Sequence, residues 1–169
     1  MTQIKEASLR AVRASDIKLI RKWWADSRVM TAVGFPNGLQ ASEAEVWTSI
    51  AKHQAVDFSD FLIILDEAQR PIGEFHYRQV SDNSATFGIK IGDYASQGKG
   101  YGKAALLKGL ALIQTNPALK LLEIQVAADN LKAIGLYEKL GFVITEKKTD
   151  NWTDQLGNLR STAVMQLKI

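Results

Sequence analysis

The sequence predicts an α+β domain built on a central, mostly antiparallel mixed sheet with one parallel strand pair, flanked by about four helices. Three observations carry this. Residues 61–92 hold three short apolar or alternating runs, "FLIIL", "IGEFHYRQV" and "ATFGIKIG", split by the turns "DEAQRP" and "SDNS", the pattern of an antiparallel meander. The last run leads through a glycine-rich loop and a helix into a further strand, and a strand–helix–strand unit implies a parallel pair. Amphipathic segments before and after these runs supply helices to cover the sheet.

The elements follow in order. Residues 7–13 ("ASLRAVR") alternate and form a first strand. Ser15 reads as an N-cap, with Ile17, Ile20, Trp23 and Trp24 at helical spacing behind it. "FPNGL" is a loop on its proline and glycine. Ser42 with Glu45 makes a capping box, and Val46, Trp47, Ile50 and Ala51 give the helix that follows one apolar face. After the meander a helix runs from Gly102 to Gln114, with Leu106, Leu107, Leu110, Ala111 and Ile113 on its apolar side, and Asn116-Pro117 stops it. Strand 121–127 ("LLEIQVA") is next, then a helix over 131–140 ended by Gly141. "FVITEKKT" and "STAVMQLKI" read as a closing hairpin. The order is β-α-α-β-β-β-α-β-α-β-β.

Composition narrows the function. With 169 residues, 46% hydrophobic and 23% charged, the chain can bury a core of its own, and residues 1–169 are expected to form one domain. It has no cysteine, which excludes disulfides, thiolate zinc sites and a cysteine nucleophile and suits a cytoplasmic location. "MTQIKEASLR" has no apolar segment of the kind a signal peptide needs. "FLIIL" and "LALI" are too short to span a bilayer, so no membrane role is expected. The net charge of +3 is not gathered into a run of five or more basic residues, which argues against nucleic acid as a partner. His53 and His76 lie on different elements without a second ligand at metal spacing, so no metal is expected.

The chemistry gathers at "QGKGYGK", residues 97–103. Its glycines admit positive φ and close approach of a ligand, and the loop opens a helix whose free N–H groups suit an anion. Lys99 and Lys103 add positive charge. A dinucleotide fingerprint requires G-x-G-x-x-G, whereas the glycines here are Gly98, Gly100 and Gly102. A P-loop requires a glycine at 97 and Ser or Thr at 104, where Gln97 and Ala104 stand. A third pattern fits. Gln97-Gly98-Lys99-Gly100-Tyr101-Gly102 is similar to the [Arg/Gln]-x-x-Gly-x-[Gly/Ala] loop of the GCN5-related N-acetyltransferases. Downstream, "VAADNLKAIGLYEKLGF" (126–142) resembles that family's second signature, N-x-x-A-x-x-x-Y-x-x-x-G-F, at Asn130, Ala133, Tyr137, Gly141 and Phe142. The likeness covers roughly residues 72–145. "IRKWWADSRVM" is also similar to the branch that acetylates ribosomal-protein N-termini.

The resemblance implies the acyl-CoA N-acyltransferase fold, with strands 85–92 and 121–127 splayed around the coenzyme. It implies acetyl-CoA as cosubstrate and a primary amine as acceptor, joined by direct attack without a covalent enzyme intermediate. The backbone of Ile89, Lys90 and Ile91 would hold the pantetheine arm, residues Gln97, Gly98, Lys99, Gly100, Tyr101, Gly102 and Lys103 the pyrophosphate, and Asn130 and Tyr137 would contact the coenzyme. Tyr137, by spacing alone a core aromatic, becomes the general acid for the leaving thiolate. Many members carry a glutamate at the start of the strand before the loop; "SATFGIKI" has none. Glu74, on the neighbouring strand and on one face with His76 and Arg78, is the candidate base, against its ordinary reading as a salt-bridged or solvated glutamate. Family likeness also puts the N-terminal helices, with Trp23, Trp24 and Trp47, around the acceptor, along with loops 28–42 and 149–158. The final strands offer a surface for a homodimer. Two rival readings are a non-catalytic acyl-CoA-binding sensor and a nucleotide-binding regulatory module.

Overall fold

The computed structural model describes residues 4–169; residues 1–3 of the N-terminal stretch read above lie outside them. In chain order the elements are β1 (Ser8–Ala11), α1 (Ile17–Ala25), α2 (Ser27–Met30), α3 (Glu43–Gln54), β2 (Ser59–Leu65), β3 (Pro71–Gln79), β4 (Ser84–Ile91), α4 (Tyr101–Ile113), β5 (Leu121–Ala127), α5 (Leu131–Lys139), β6 (Val143–Thr153) and β7 (Leu159–Lys168). The strands form one sheet in the order β1-β2-β3-β4-β5-β7-β6. Every neighbouring pair is antiparallel except β4 and β5. That parallel pair is in register only at Ser84–Leu121 and Ala85–Leu122, and beyond Ala85 the two strands part. The sheet and its parallel pair are as the sequence predicts.

Strand alternation divides the core in two. On one face Phe75, Phe87, Leu122 and Ile124 pack with Leu106 and Ile113 of α4. On the other, Phe61, Ile63 and Leu65 pack with Ile20, Trp23 and Trp24 of α1 and Val46 and Ile50 of α3. The capping box at α3 forms: the Ser42 hydroxyl accepts from Glu45 N at 3.1 Å, and Ser42 N donates to Glu45 Oε2 at 2.7 Å.

Three local expectations change. Ser15 does not cap α1; it lies in a short 3-10 turn, and Asp16 secures this corner. Its buried carboxylate accepts from Arg13 N at 2.7 Å and from the Arg10 guanidinium at 2.7 and 2.9 Å. Burial pushes the Asp16 carboxyl up, but the Arg10 and Arg13 bonds more than offset this and hold it below the usual carboxylate range. Trp47 and Leu107 do not join the core: they are 40% and 48% exposed. Each stands one residue, about 100° of helix, past the buried Val46 and Leu106. Five helices rather than about four appear among the described residues, because the Asp26 side chain accepts from Arg28 N and caps the four-residue α2.

The β6–β7 hairpin reaches over to the segment after α2. Gln155 N donates to the Gly34 carbonyl and its side-chain amide to the Gly38 carbonyl, both at 2.9 Å, and Asn37 N donates back to Gln155 Oε1. Gly34 (φ +96°) lies under the Trp152 ring, where an added Cβ would come within 2.6 Å of it. Two segments more than a hundred residues apart thus become one wall. No helix among the described residues is long and apolar enough to cross a membrane.

Candidate active site

Splaying of β4 from β5 opens the sheet, and two cavities meet in the opening. One, about 690 Å³, lies under the glycine loop and the start of α5. The other, about 550 Å³, lies toward α2 and the β6–β7 hairpin. Ile89, Ile91, Gln97, Asn130, Ala133 and Tyr137 line both. Most of the residues singled out in the two sequence motifs therefore converge on the junction.

The larger cavity is a cradle for an anion. Gly98 and Gly100 have φ of +71° and +96°, which L side chains rarely adopt. Gly100 precedes α4, and Ala104 is the first amide bonded back within that helix, so the N–H groups of residues 101–103 remain for a ligand. Lys103 lines the cavity, as do Lys132 and Lys139 of α5, which the sequence reading missed. Their signal is a spacing of seven, two turns on one helix face. Lys99 and Tyr101 do not line it. The Tyr101 ring is buried, and its hydroxyl donates to Glu67 Oε2, away from the cradle. Gly100→Val forces a β-branched residue into left-handed backbone at the helix start; coenzyme A affinity is expected to fall at least tenfold by calorimetry. Unchanged affinity would mean the loop does not hold the phosphates.

Past Ala85, β4 has no ladder partner toward β5, so this edge of Ile89, Lys90 and Ile91 is open to a ligand. One group there is taken: Gln97 Nε2 donates to the Ile91 carbonyl at 2.8 Å, tying the loop to the strand. Asn130 caps α5, its side-chain oxygen accepting from Ala133 N at 3.3 Å, which leaves the amide NH₂ for the cavities it lines.

Tyr137 stands at the junction. Its ring packs against Phe87 and Phe142, with centroids 5.9 and 5.7 Å away, and it is 8% exposed. Burial pushes its phenol up to about 12, so it stays protonated at neutral pH. A protonated phenol lining both cavities is a group that can donate a proton there.

Glu74 lies elsewhere. It is 2% exposed and lines neither cavity. Its carboxylate accepts from Trp24 Nε1 at 3.0 Å and from Lys90 Nζ at 3.2 Å, and Lys90 is what borders the smaller cavity. The next residue on that face, His76, stacks on Phe61 and lies 4.4 Å from His53 between ring centroids. Burial and the neighbouring His53 push it down to about 3, so it is uncharged. Among the described residues no group of three or more metal-ligating side chains occurs.

The smaller cavity also takes Val29, Val33, Gln125, Asn151, Trp152 and Thr162. Of the three tryptophans expected around an acceptor, none lines it. Trp152 does, because β6 loses register between Lys148 and Trp152, with Asp150 at φ +47°, and the strand is re-aimed. No sequence pattern marks such a bulge in advance.

Comparison with known proteins agrees with this geometry. The family model described as an acetyltransferase (GNAT) domain matches residues 7–143. A mycothiol acetyltransferase of Renibacterium salmoninarum is 35% identical over 102 residues, 56% of this chain and 29% of that protein. One from Actinosynnema mirum is 32% identical over 121 residues, 71% of this chain and 36% of that protein. The chain thus spans about a third of the length of these curated relatives. The crystal structure of a spermidine N-acetyltransferase from Vibrio cholerae, in complex with CoA and spermine, superposes with a TM-score of 0.83 at 23% identity, covering 96% of this chain and 95% of that one. At that identity the likeness is one of fold.

Proposed function

We propose that the chain, which belongs to the GNAT acetyltransferase family, transfers the acetyl group of acetyl-CoA to a primary amine by direct attack within a ternary complex. The observation that carries this is the meeting of an anion-cradling cavity and a second cavity at Tyr137, in the opening between β4 and β5. The coenzyme lies along the open edge of β4 with its pyrophosphate at the glycine loop, Lys103, Lys132 and Lys139. The amine enters from the smaller cavity and attacks the thioester carbonyl, whose oxygen a β4 backbone N–H polarises. The C–N bond forms, the C–S bond breaks, and the leaving thiolate takes the Tyr137 proton. The amine loses its own proton to water.

The compared proteins are named for mycothiol and spermidine, two different acceptors, and partial coverage in one case and fold-level likeness in the other leave the acceptor here as an amine. The family model and the compared proteins are described as acetyltransferases, and the transferase reading is favoured over a non-catalytic coenzyme sensor for that reason. The proposal includes a homodimer formed through the last two strands. β6, at one edge of the sheet, exposes Val143 at 59%, and sedimentation of the purified chain tests the pairing.

The expected result is thiol release from acetyl-CoA on addition of a mixed amine panel of peptides, polyamines, amino acids and aminoglycosides, with a 42 Da gain on the accepted amine by mass spectrometry, about the mass of one acetyl group less one proton. Binding of coenzyme A without thiol release across the panel selects the sensor. Thermal stabilisation by ATP or NAD but not by coenzyme A selects a nucleotide module.

A further inference from the structure

We infer that the acceptor cavity takes an amine in a partly apolar setting with no carboxylate on its wall, the α-amine of a peptide being the class that fits, and that the Lys90 ammonium turns polycations away. This rests on the transferase reading above. Among the described residues Lys90 is the one charged side chain on the wall of the smaller cavity, and no carboxylate lines it. Of the carboxylates on nearby elements, Glu74 is engaged by Lys90 and Trp24, Asp26 by Arg28, and Asp129 and Asp154 by Arg160, while Asp150, beside Asn151, does not line the cavity. A polycation entering here meets a like charge on the wall and no carboxylate there.

The Lys90 ammonium is fixed in place. Its Nζ lies 3.2 Å from Glu74 Oε1 and 5.7 Å from the centre of the Trp24 ring. Glu74, at 2% exposure, is itself shut off from the cavity. So the pair borders the cavity through Lys90 and not through its carboxylate.

The rest of the wall matches an amide. Gln125, Asn151 and Thr162 present side chains that both donate and accept, and none is bonded to another side chain among the described residues. A peptide N–H and C=O need one of each. Val29, Val33 and Trp152 supply apolar surface beside them, and Trp152 is held by Gly34 on one side and by the Arg160 guanidinium, 5.1 Å from its ring centre. An amine carried next to a small apolar side chain and an amide satisfies both sets of groups.

The test measures binding to the coenzyme A-saturated enzyme, with Ala-Val carboxamide and spermine as probes, followed by thiol release with each. The dipeptide amide is expected to bind at least tenfold tighter. Lys90→Met removes the repelling charge and uncovers Glu74, so spermine affinity is expected to rise about tenfold while the dipeptide changes by less than threefold. Val33→Glu, at a position 48% exposed, puts a carboxylate on the wall without touching the Glu74 pair and is expected to shift preference the same way, should Lys90→Met fail to fold. Tighter binding of spermine, no binding of the dipeptide, or an unchanged ratio in whichever variants fold would overturn the inference. If the binding order holds but no amine releases thiol, the transferase reading fails and takes the acceptor role with it, leaving a selective binding cavity. Thiol release with spermine preferred overturns the inference alone.

Discussion

Tyr137→Phe is expected to lower kcat by about a hundredfold or more while coenzyme A binds as before, since proton transfer of this kind contributes roughly 10²–10⁴. The ring stays against Phe87 and Phe142, so the packing that locates it survives and only the hydroxyl is lost. The pH profile gives a second check. An acid works while protonated, and Tyr137 is pushed up to about 12, so its limb of the kcat profile falls above the usual working range. Between about pH 6 and 10 the wild type is expected to show no loss of kcat assignable to this phenol. Unchanged turnover in the phenylalanine variant, or a falling limb near pH 8 that the substitution abolishes, would remove the general-acid role or its perturbed titration.

Glu74→Ala is expected to cost about 2–4 kcal/mol of stability, measured by chemical denaturation, because it strands the Lys90 ammonium and the Trp24 N–H in a site that is mostly dry. Lys90 is 19% exposed by side chain, which keeps the figure below that of a fully enclosed pair. Removing both charges is milder: Glu74→Leu with Lys90→Met is expected to recover most of the loss. A cost under about 0.5 kcal/mol for Glu74→Ala would mean that water reaches the carboxylate freely. Glu74→Gln separates the two roles open to this residue. If Glu74 holds Lys90, the variant loses stability and keeps kcat within a few-fold. If it draws the amine proton, kcat falls and the acidic limb of the pH–rate profile goes with it.

Much of the fold could be read in advance because it rests on local rules. A short apolar run and two period-2 runs, divided by "DEAQRP" and "SDNS", became β2, β3 and β4 within a residue or two. Ser42 and Glu45 became a working capping box, since both partners lie within one turn. Trp47 and Leu107 were misplaced because apolar character was read without the 100° step that separates them from Val46 and Leu106. In the site, the glycine loop and the Asn130–Tyr137 helix were legible as motifs. Lys132 and Lys139 were not, because a lysine on an exposed helix face looks alike whether or not a cavity lies beneath it.

By itself, then, the sequence determined the sheet with its parallel pair, the glycine loop, and the asparagine and tyrosine that line both cavities. Those depend on backbone geometry and on spacing within one or two elements. Family likeness pointed to loops 28–42 and 149–158, but tertiary structure decided which of their residues line the smaller cavity. It buried Glu74 behind Lys90, kept the N-terminal tryptophans off the cavity wall, and brought Trp152 and Asn151 to it by a bulge and a docked hairpin. The physical reason is distance along the chain: Trp24 meets Glu74, and Gly34 meets Trp152, only after the sheet has assembled. No local pattern encodes which buried partner a charged or aromatic side chain will find.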